Sequence, residues 1–153
     1  MNRLLLFLFV LAVMPRLHAQ LPNRVTKLQG LWEYSEGSGY ERWILKDDIM
    51  YGESFRINKL GDTIVAERFE IQYVNKRLVL NLKAYHTKGD SVVVQERVLI
   101  GKKRKMEFTN VSGSQLRSLY FKFGFLTRNR LKLLVSHKGV EKPQKLRLVR
   151  RED

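Results

Sequence analysis

The sequence predicts an all-β protein, a single antiparallel up-and-down β-barrel of about eight to ten strands. Three observations predict it. After Gln20, short apolar segments are separated by turn-forming residues at intervals of roughly eight to twelve positions. Within the segments apolar and polar residues alternate, as they do when one sheet face is buried and the other is wet. No long segment carries the helical period.

The elements follow in order. A first strand over 30–35 ends at Gly37-Ser38-Gly39, a second over 40–45 at Lys46-Asp47-Asp48, and a third over 49–57 at Lys59-Leu60-Gly61-Asp62. The fourth, 63–74, sets Val65, Phe69, Ile71 and Tyr73 on one face with Glu67, and Arg68, Glu70 and Gln72 on the other. It turns at Asn75-Lys76 into a fifth, 78–86, whose inner face of Leu78, Leu80, Leu82 and Ala84 is wholly apolar. The sixth, 92–100, follows Lys88-Gly89-Asp90, and its parity turns Val92, Val94, Val98 and Ile100 inward with Glu96. Gly101-Lys102-Lys103-Arg104 leads to a seventh over 105–110. The eighth, 115–126, faces Leu119, Phe121, Phe123 and Phe125 inward, with Arg117 on the same side. The ninth and tenth, 131–136 and 145–150, complete the meander around Lys138-Gly139. Gly and Asn at the turns supply positive φ or side-chain-capped bends, and closing the sheet removes edges that would template aggregation.

Ahead of the barrel stands a different kind of segment. Asn2 and Arg3 precede an unbroken run of ten apolar residues, Leu4 to Val13, and then come Pro15 and Leu17-His18-Ala19. That is the layout of a secretory signal peptide cut after Ala19. A bilayer crossing needs about 20 such residues. Residues 1–19 are therefore expected to be a signal peptide and residues 20–153 the barrel domain, exported to the periplasm or beyond. The mature chain of 134 residues fits one domain and buries a core without staples. Consistently, cysteine is absent, which excludes a disulfide scaffold, a thiolate zinc site, a cysteine nucleophile and a lipid-anchored cysteine. An exported chain without disulfides suits a bacterial envelope better than a disulfide-dense secretion.

Charge is uneven. Residues 20–100 hold 12 Lys and Arg against 11 Asp and Glu, whereas residues 101–153 hold 15 against 4. The excess favours polyanionic surfaces such as an envelope lipid or an acidic glycan, or it serves solubility alone. The densest run, Gly101 to Lys105, has no interleaved aromatics, so nucleic acid is not the expected partner.

Gly30-Leu31-Trp32, about ten residues into the mature chain, resembles the Gly-x-Trp signature of the calycin superfamily, the lipocalins and their relatives. In that superfamily the tryptophan closes one barrel end and packs against an arginine from near the chain's end. The resemblance gives Trp32 that role and Arg150 the partner's, with Arg147 as the fallback. A series of motifs in order is similar to a family of exported bacterial lipocalin-like proteins of unknown function: Leu28-x-Gly30-x-Trp32, Glu41-x-Trp43, Met50-x-Gly52, Gly61-Asp62 and Glu67-x-x-x-Ile71. The likeness covers residues 28 to about 100. Beyond it the chain departs, because Phe108-Thr109-Asn110 leads into Val111-Ser112-Gly113-Ser114 where such proteins often carry Asn-Pro-x-His-Asp-Phe-Pro. The resemblance therefore gives no ground for expecting here any activity that the family owes to that stretch.

Glu67, Glu96 and Arg117 are thus expected to point inward. A buried charge must find a partner, water or a ligand, or else neutralise. Either they form an internal ion-pair network or sit at a barrel end open to solvent, or they anchor a polar head inside an apolar pocket lined by Trp43, Met50, Tyr73, Phe121 and Phe123. A glycoside-cleaving carboxylate pair of Glu67 and Glu96 is a third reading, although nothing in the sequence sets their separation. Only His86 and His137 follow the leader, without His-Glu-x-x-His spacing, and there is no Gly-x-Ser-x-Gly elbow. Neither an enzyme, a metal site nor a cofactor is expected. The leading expectation is an exported binding protein that holds a small apolar or amphipathic molecule, entered at the end away from Trp32. The alternative is an envelope-associated structural protein whose basic outer face docks on an anionic surface.

Overall fold

The computed structural model describes residues 20–88, 91–101, 105–111, 113–124 and 128–152. A short helix, α1 (Asn23–Thr26), precedes ten strands: β1 (Gly30–Tyr34), β2 (Tyr40–Lys46), β3 (Ile49–Ile57), β4 (Thr63–Val74), β5 (Arg77–Lys88), β6 (Ser91–Gly101), β7 (Glu107–Asn110), β8 (Leu116–Phe123), β9 (Arg130–His137) and β10 (Gln144–Arg151). Each strand pairs antiparallel with its neighbour in sequence, and β1 pairs with β10, so the sheet is a closed up-and-down barrel. All ten strands lie where the turn rhythm puts them. Among the described residues no helix is long and apolar enough to cross a membrane.

Two turns show how the chain sets its hairpins. Asp47 and Asp48 (φ 50° and 59°) and Asn75 and Lys76 (φ 49° and 62°) are two-residue connections with both φ positive. That is the primed turn geometry whose twist matches the strands it joins.

The α1 end of the barrel is sealed by side chains from the two ends of the described chain. Leu21, Val25 and Leu28 are buried beneath α1, and the fully buried Trp32 donates from Nε1 to the Leu28 carbonyl at 2.7 Å. Arg150, directly opposite Trp32 in the β1–β10 register, lays its guanidinium 4.4 Å from the indole centroid. Its two terminal nitrogens donate to the carbonyls of Gln29 (2.6 Å) and Lys27 (2.7 Å). Arg147, the fallback, is exposed on the outer face.

Above this plug the lower half of the barrel is solid. Trp43 stacks on Phe69 with centroids 5.2 Å apart and meets Phe121 edge-on at 5.7 Å, and Phe121 meets Phe108 at 6.1 Å. Aromatic pairs at these separations contribute about 0.5–1.5 kcal/mol beyond the area they bury. The stack needs a glycine. Trp43, Gly52 and Phe69 are consecutive cross-strand partners, and a Cβ on Gly52 would stand 2.6 Å from the Trp43 ring.

Two parity expectations are corrected. On β6 the inner residues are Gly101, Leu99, Arg97 and Gln95, because they stand opposite Leu78, Leu80, Leu82 and Ala84 of β5. Lys88 pairs with Ser91, and that register fixes which set turns in; a slip of one residue would exchange the faces. Glu96 therefore lies outside, where Lys83 donates to it at 2.8 Å. On β8 the register shifts between Leu116 and Ser118, so Leu116 takes an inner position and Arg117 is thrown out to solvent. Leu119, Phe121 and Phe123 keep the inward parity, whereas Phe125 lies outside the described residues.

Gly52→Ala is expected to lose about 1–3 kcal/mol of stability through overpacking against Trp43. Urea unfolding followed by tryptophan fluorescence checks this.

Candidate functional site

The strand directions put the ends of β1, β3, β5, β7 and β9 at the rim opposite Trp32. There the interior changes character. A cavity of about 230 Å³ opens among Phe69, Leu82, Leu116, Leu119, Leu133 and Val135, with Tyr34, Glu67 and Arg97 in its wall and Gln115, His137, Gln144 and Leu146 completing the lining.

The polar part of the wall is built on one cross-strand row. Glu41 of β2 stands opposite Ser54 of β3, and Ser54 opposite Glu67 of β4. Glu41 is fully buried. Its Oε1 accepts from the Tyr34 hydroxyl at 2.6 Å, and its Oε2 accepts from Trp43 Nε1 at 3.0 Å. Burial pushes the Glu41 carboxyl above its ordinary value; the bonds from Tyr34 and Trp43 oppose this, and the charge on Glu67 reinforces it. The Tyr34 phenol is held far above its usual range, first by burial and then by Glu41, while Ser54 pulls the other way. Among the described residues no buried side-chain polar atom lacks a partner.

Glu67 marks the passage from this sealed network to the cavity. Desolvation raises its pKa, and the inward guanidinium of Arg97 on β6 lowers it in opposition. Arg97 also donates to Gln95 on its own strand. A carboxyl and a guanidinium thus share one small chamber above an apolar floor.

The sequence-derived residues are distributed unequally around this chamber. Glu67 lines it. Trp43, Met50 and Phe121 are buried in the packed half below it, and Phe123 lies 6.1 Å from Trp32 in the plug. Tyr73, half-buried, packs against the core two residues from the β4–β5 turn at that same end. Glu96 and Arg117 are outside the barrel and cannot reach the chamber. Sequence reasoning missed Tyr34, Glu41 and Arg97 as inner polar groups. Glu41 shares parity with Trp43 two residues on, a signal that was available; the facing of Arg97 required the β5–β6 register.

A larger groove of about 450 Å³ crosses the outside of β2–β5 between Arg42, Tyr51, Arg68 and Tyr85. Some of its charge is already paired, Arg68 Nε donating to Glu53 at 3.0 Å. Among the described residues no three His, Cys, Asp or Glu side chains converge as a metal site. Comparisons with family models, with curated proteins and with solved structures found no match.

The raised carboxyl pKa values give the fold a pH signature. Glu67 binds its proton more tightly folded than unfolded, so its contribution is fully present below the ordinary value of 4.5 and is lost as pH rises through the folded value. Glu67→Gln is expected to gain stability over wild type as pH climbs above that point, with Glu41 leaving some slope in the variant. Thermal unfolding of both proteins between acid and neutral pH checks it, and parallel curves would show that Glu67 titrates alike in the two states.

Proposed function

We propose that this protein is a binding module that takes a small amphipathic molecule into the chamber at the rim opposite Trp32. The single observation that supports the reading is the composition of that chamber: an apolar floor of Phe69, Leu82, Leu119 and Leu133 beneath Tyr34, Glu67 and Arg97. Few convergent polar groups over an apolar lining is the usual make-up of a small-molecule site. At about 230 Å³ the chamber is below the roughly 300–1,000 Å³ of drug-sized sites, so the ligand is small.

The polar wall suggests the head group. Glu67 and Arg97 face the chamber together, so a second full charge would be repelled by one of them. A neutral head that both donates and accepts, a hydroxyl or amide, is served by both. The Arg150 stack on Trp32 supports kinship with calycin-type, lipocalin-like barrels, and the Leu4–Val13 run supports export with cleavage after Ala19.

Titration with octanol, octanoate and octylamine, followed by tryptophan fluorescence and native mass spectrometry, tests the reading. Octanol is expected to bind tightest. Val135→Trp, at the half-buried chamber wall, is expected to weaken it at least about tenfold, equivalent to about 1.4 kcal/mol. Failure of all three compounds to bind the wild type, or binding indifferent to Val135→Trp, would overturn the proposal.

A further inference from the structure

The last three strands carry a charge pattern unlike the rest of the barrel. β8, β9 and β10 contain no Asp or Glu and eight Lys or Arg. Arg150 is turned in on Trp32 and Arg151 pairs with Glu33. The others lie on exposed positions of the outer wall.

Three of them form a line. Lys122 stands directly opposite Lys132, and Lys132 directly opposite Arg147. Like charges directly opposed across strands destabilise a sheet. Adjacent strands are about 4.8 Å apart, so the line spans roughly 10 Å of the outer surface. At its β8 end Lys122 also lines a cleft of about 400 Å³ beside the plug, together with Arg24, Lys27, Lys105, Tyr120 and Phe123. Among the described residues no carboxylate lines that cleft, and Glu107 stands opposite Tyr120 on the neighbouring strand. Concave pocket and convex row make one continuous basic track.

We infer that this track is a binding surface for a linear acidic polysaccharide, with one anionic group seated in the cleft and the next ones running over Lys122, Lys132 and Arg147. Charge complementarity selects a polyanion. The shape of the surface and the company it keeps select among polyanions. A curved barrel wall meets a flat bilayer along a narrow strip, whereas a flexible chain follows the curvature. Most exposed aliphatic side chains, among them Ile44, Ile57, Leu60, Ile64 and Val92, sit on β2, β3, β4 and β6 or their turns, away from the track. Beside the track the exposed aliphatic residue is Val149, two positions from Arg147 on the same face of β10, so apolar anchorage to a membrane is small there. Nucleic acid is disfavoured too, because single strands need a series of aromatic platforms and duplex grooves need a projecting helix or ribbon. The aromatic residues of the cleft are the half-buried Tyr120 and, packed inward on Trp43, Phe108 and Trp32, Phe121 and Phe123, which leaves no series of projecting rings.

The test uses the mature full-length chain and two charge-matched variants. One replaces Lys122, Lys132 and Arg147 by Gln; the other replaces Lys46, Lys59 and Lys142, exposed residues off the track, by Gln. Affinity for alginate and dextran sulfate is measured by calorimetry near 0.1 M salt, about where the screening length is 10 Å, with uncharged dextran as the blank. The track variant is expected to lose about tenfold or more in affinity, and the off-track variant less than about twofold, a difference near 1 kcal/mol. Equal losses in both variants would reduce the effect to net charge and overturn the inference. Tighter binding to phosphatidylglycerol vesicles or to single-stranded DNA than to either polysaccharide would overturn it in favour of those partners.

Discussion

The interaction on which the rest of the structure depends is the placement of the Arg150 guanidinium over Trp32. Arg150 belongs to the last strand and Trp32 to the first, so their contact coincides with the pairing that turns a meander into a closed barrel. A cation over an indole contributes about 0.5–2 kcal/mol, more as it is desolvated. Here the cation also satisfies the carbonyls of Lys27 and Gln29, which follow α1 and have no strand to bond to. Trp32 does the same for Leu28. One residue pair therefore joins three tasks: closing the sheet, ending the helix and excluding water from the floor. Gly30 is part of that arrangement, since its φ of 124° is poorly suited to side chains and a Cβ there would stand 2.9 Å from the Arg150 guanidinium.

With the floor sealed, the interior divides by chemistry along the barrel axis. The lower half is filled by aromatic rings that lie flat where a glycine opposes them, as Trp43 does over Gly52 and Phe108 over Gly101. Above them, Glu41, Ser54 and Glu67 climb the wall as cross-strand partners from three adjacent strands. Such a row is costly unless satisfied. Tyr34 and Trp43 meet the Glu41 oxygens, so that carboxyl is satisfied where it is buried, and the remaining one, Glu67, is presented to the cavity with Arg97 in the same wall.

The strands and their order were legible in the residues because turn chemistry punctuates this chain so regularly: Asp47-Asp48 and Asn75-Lys76 adopt positive φ as two-residue hairpins require. Facing was legible on β4 and β5, where apolar alternation is unambiguous. It failed on β6, where valines occupy the outer face and the inner one carries Gln95 and Arg97. Alternation identifies the more apolar face, and at the rim of a barrel the more apolar face need not be the inner one. Arg117 was misplaced for a different reason, since a bulge shifts parity without leaving a mark such as glycine in β8. Of the site, Glu67 was readable because its strand is regular. Arg97 was not, because its orientation is decided by pairing with β5.

Barrel width explains why a cavity of modest size is left at all. About eight strands enclose an interior that side chains can fill, and the diameter grows with strand number, so ten strands leave more space than a layer of aliphatic residues occupies. In the lower half Trp43, Phe69, Phe108 and Phe121 take up the difference. Toward the rim the lining passes to Glu67, Arg97, Gln115 and Gln144, none of which supplies a ring to fill the interior. The chamber of about 230 Å³ is the space that remains where aromatic filling stops. Its floor is Phe69 of the aromatic stack with Leu82, Leu119 and Leu133, and Trp43, stacked on Phe69, ties that stack to the polar wall through its bond to Glu41, so the depth of the chamber is set by the packed rings below it.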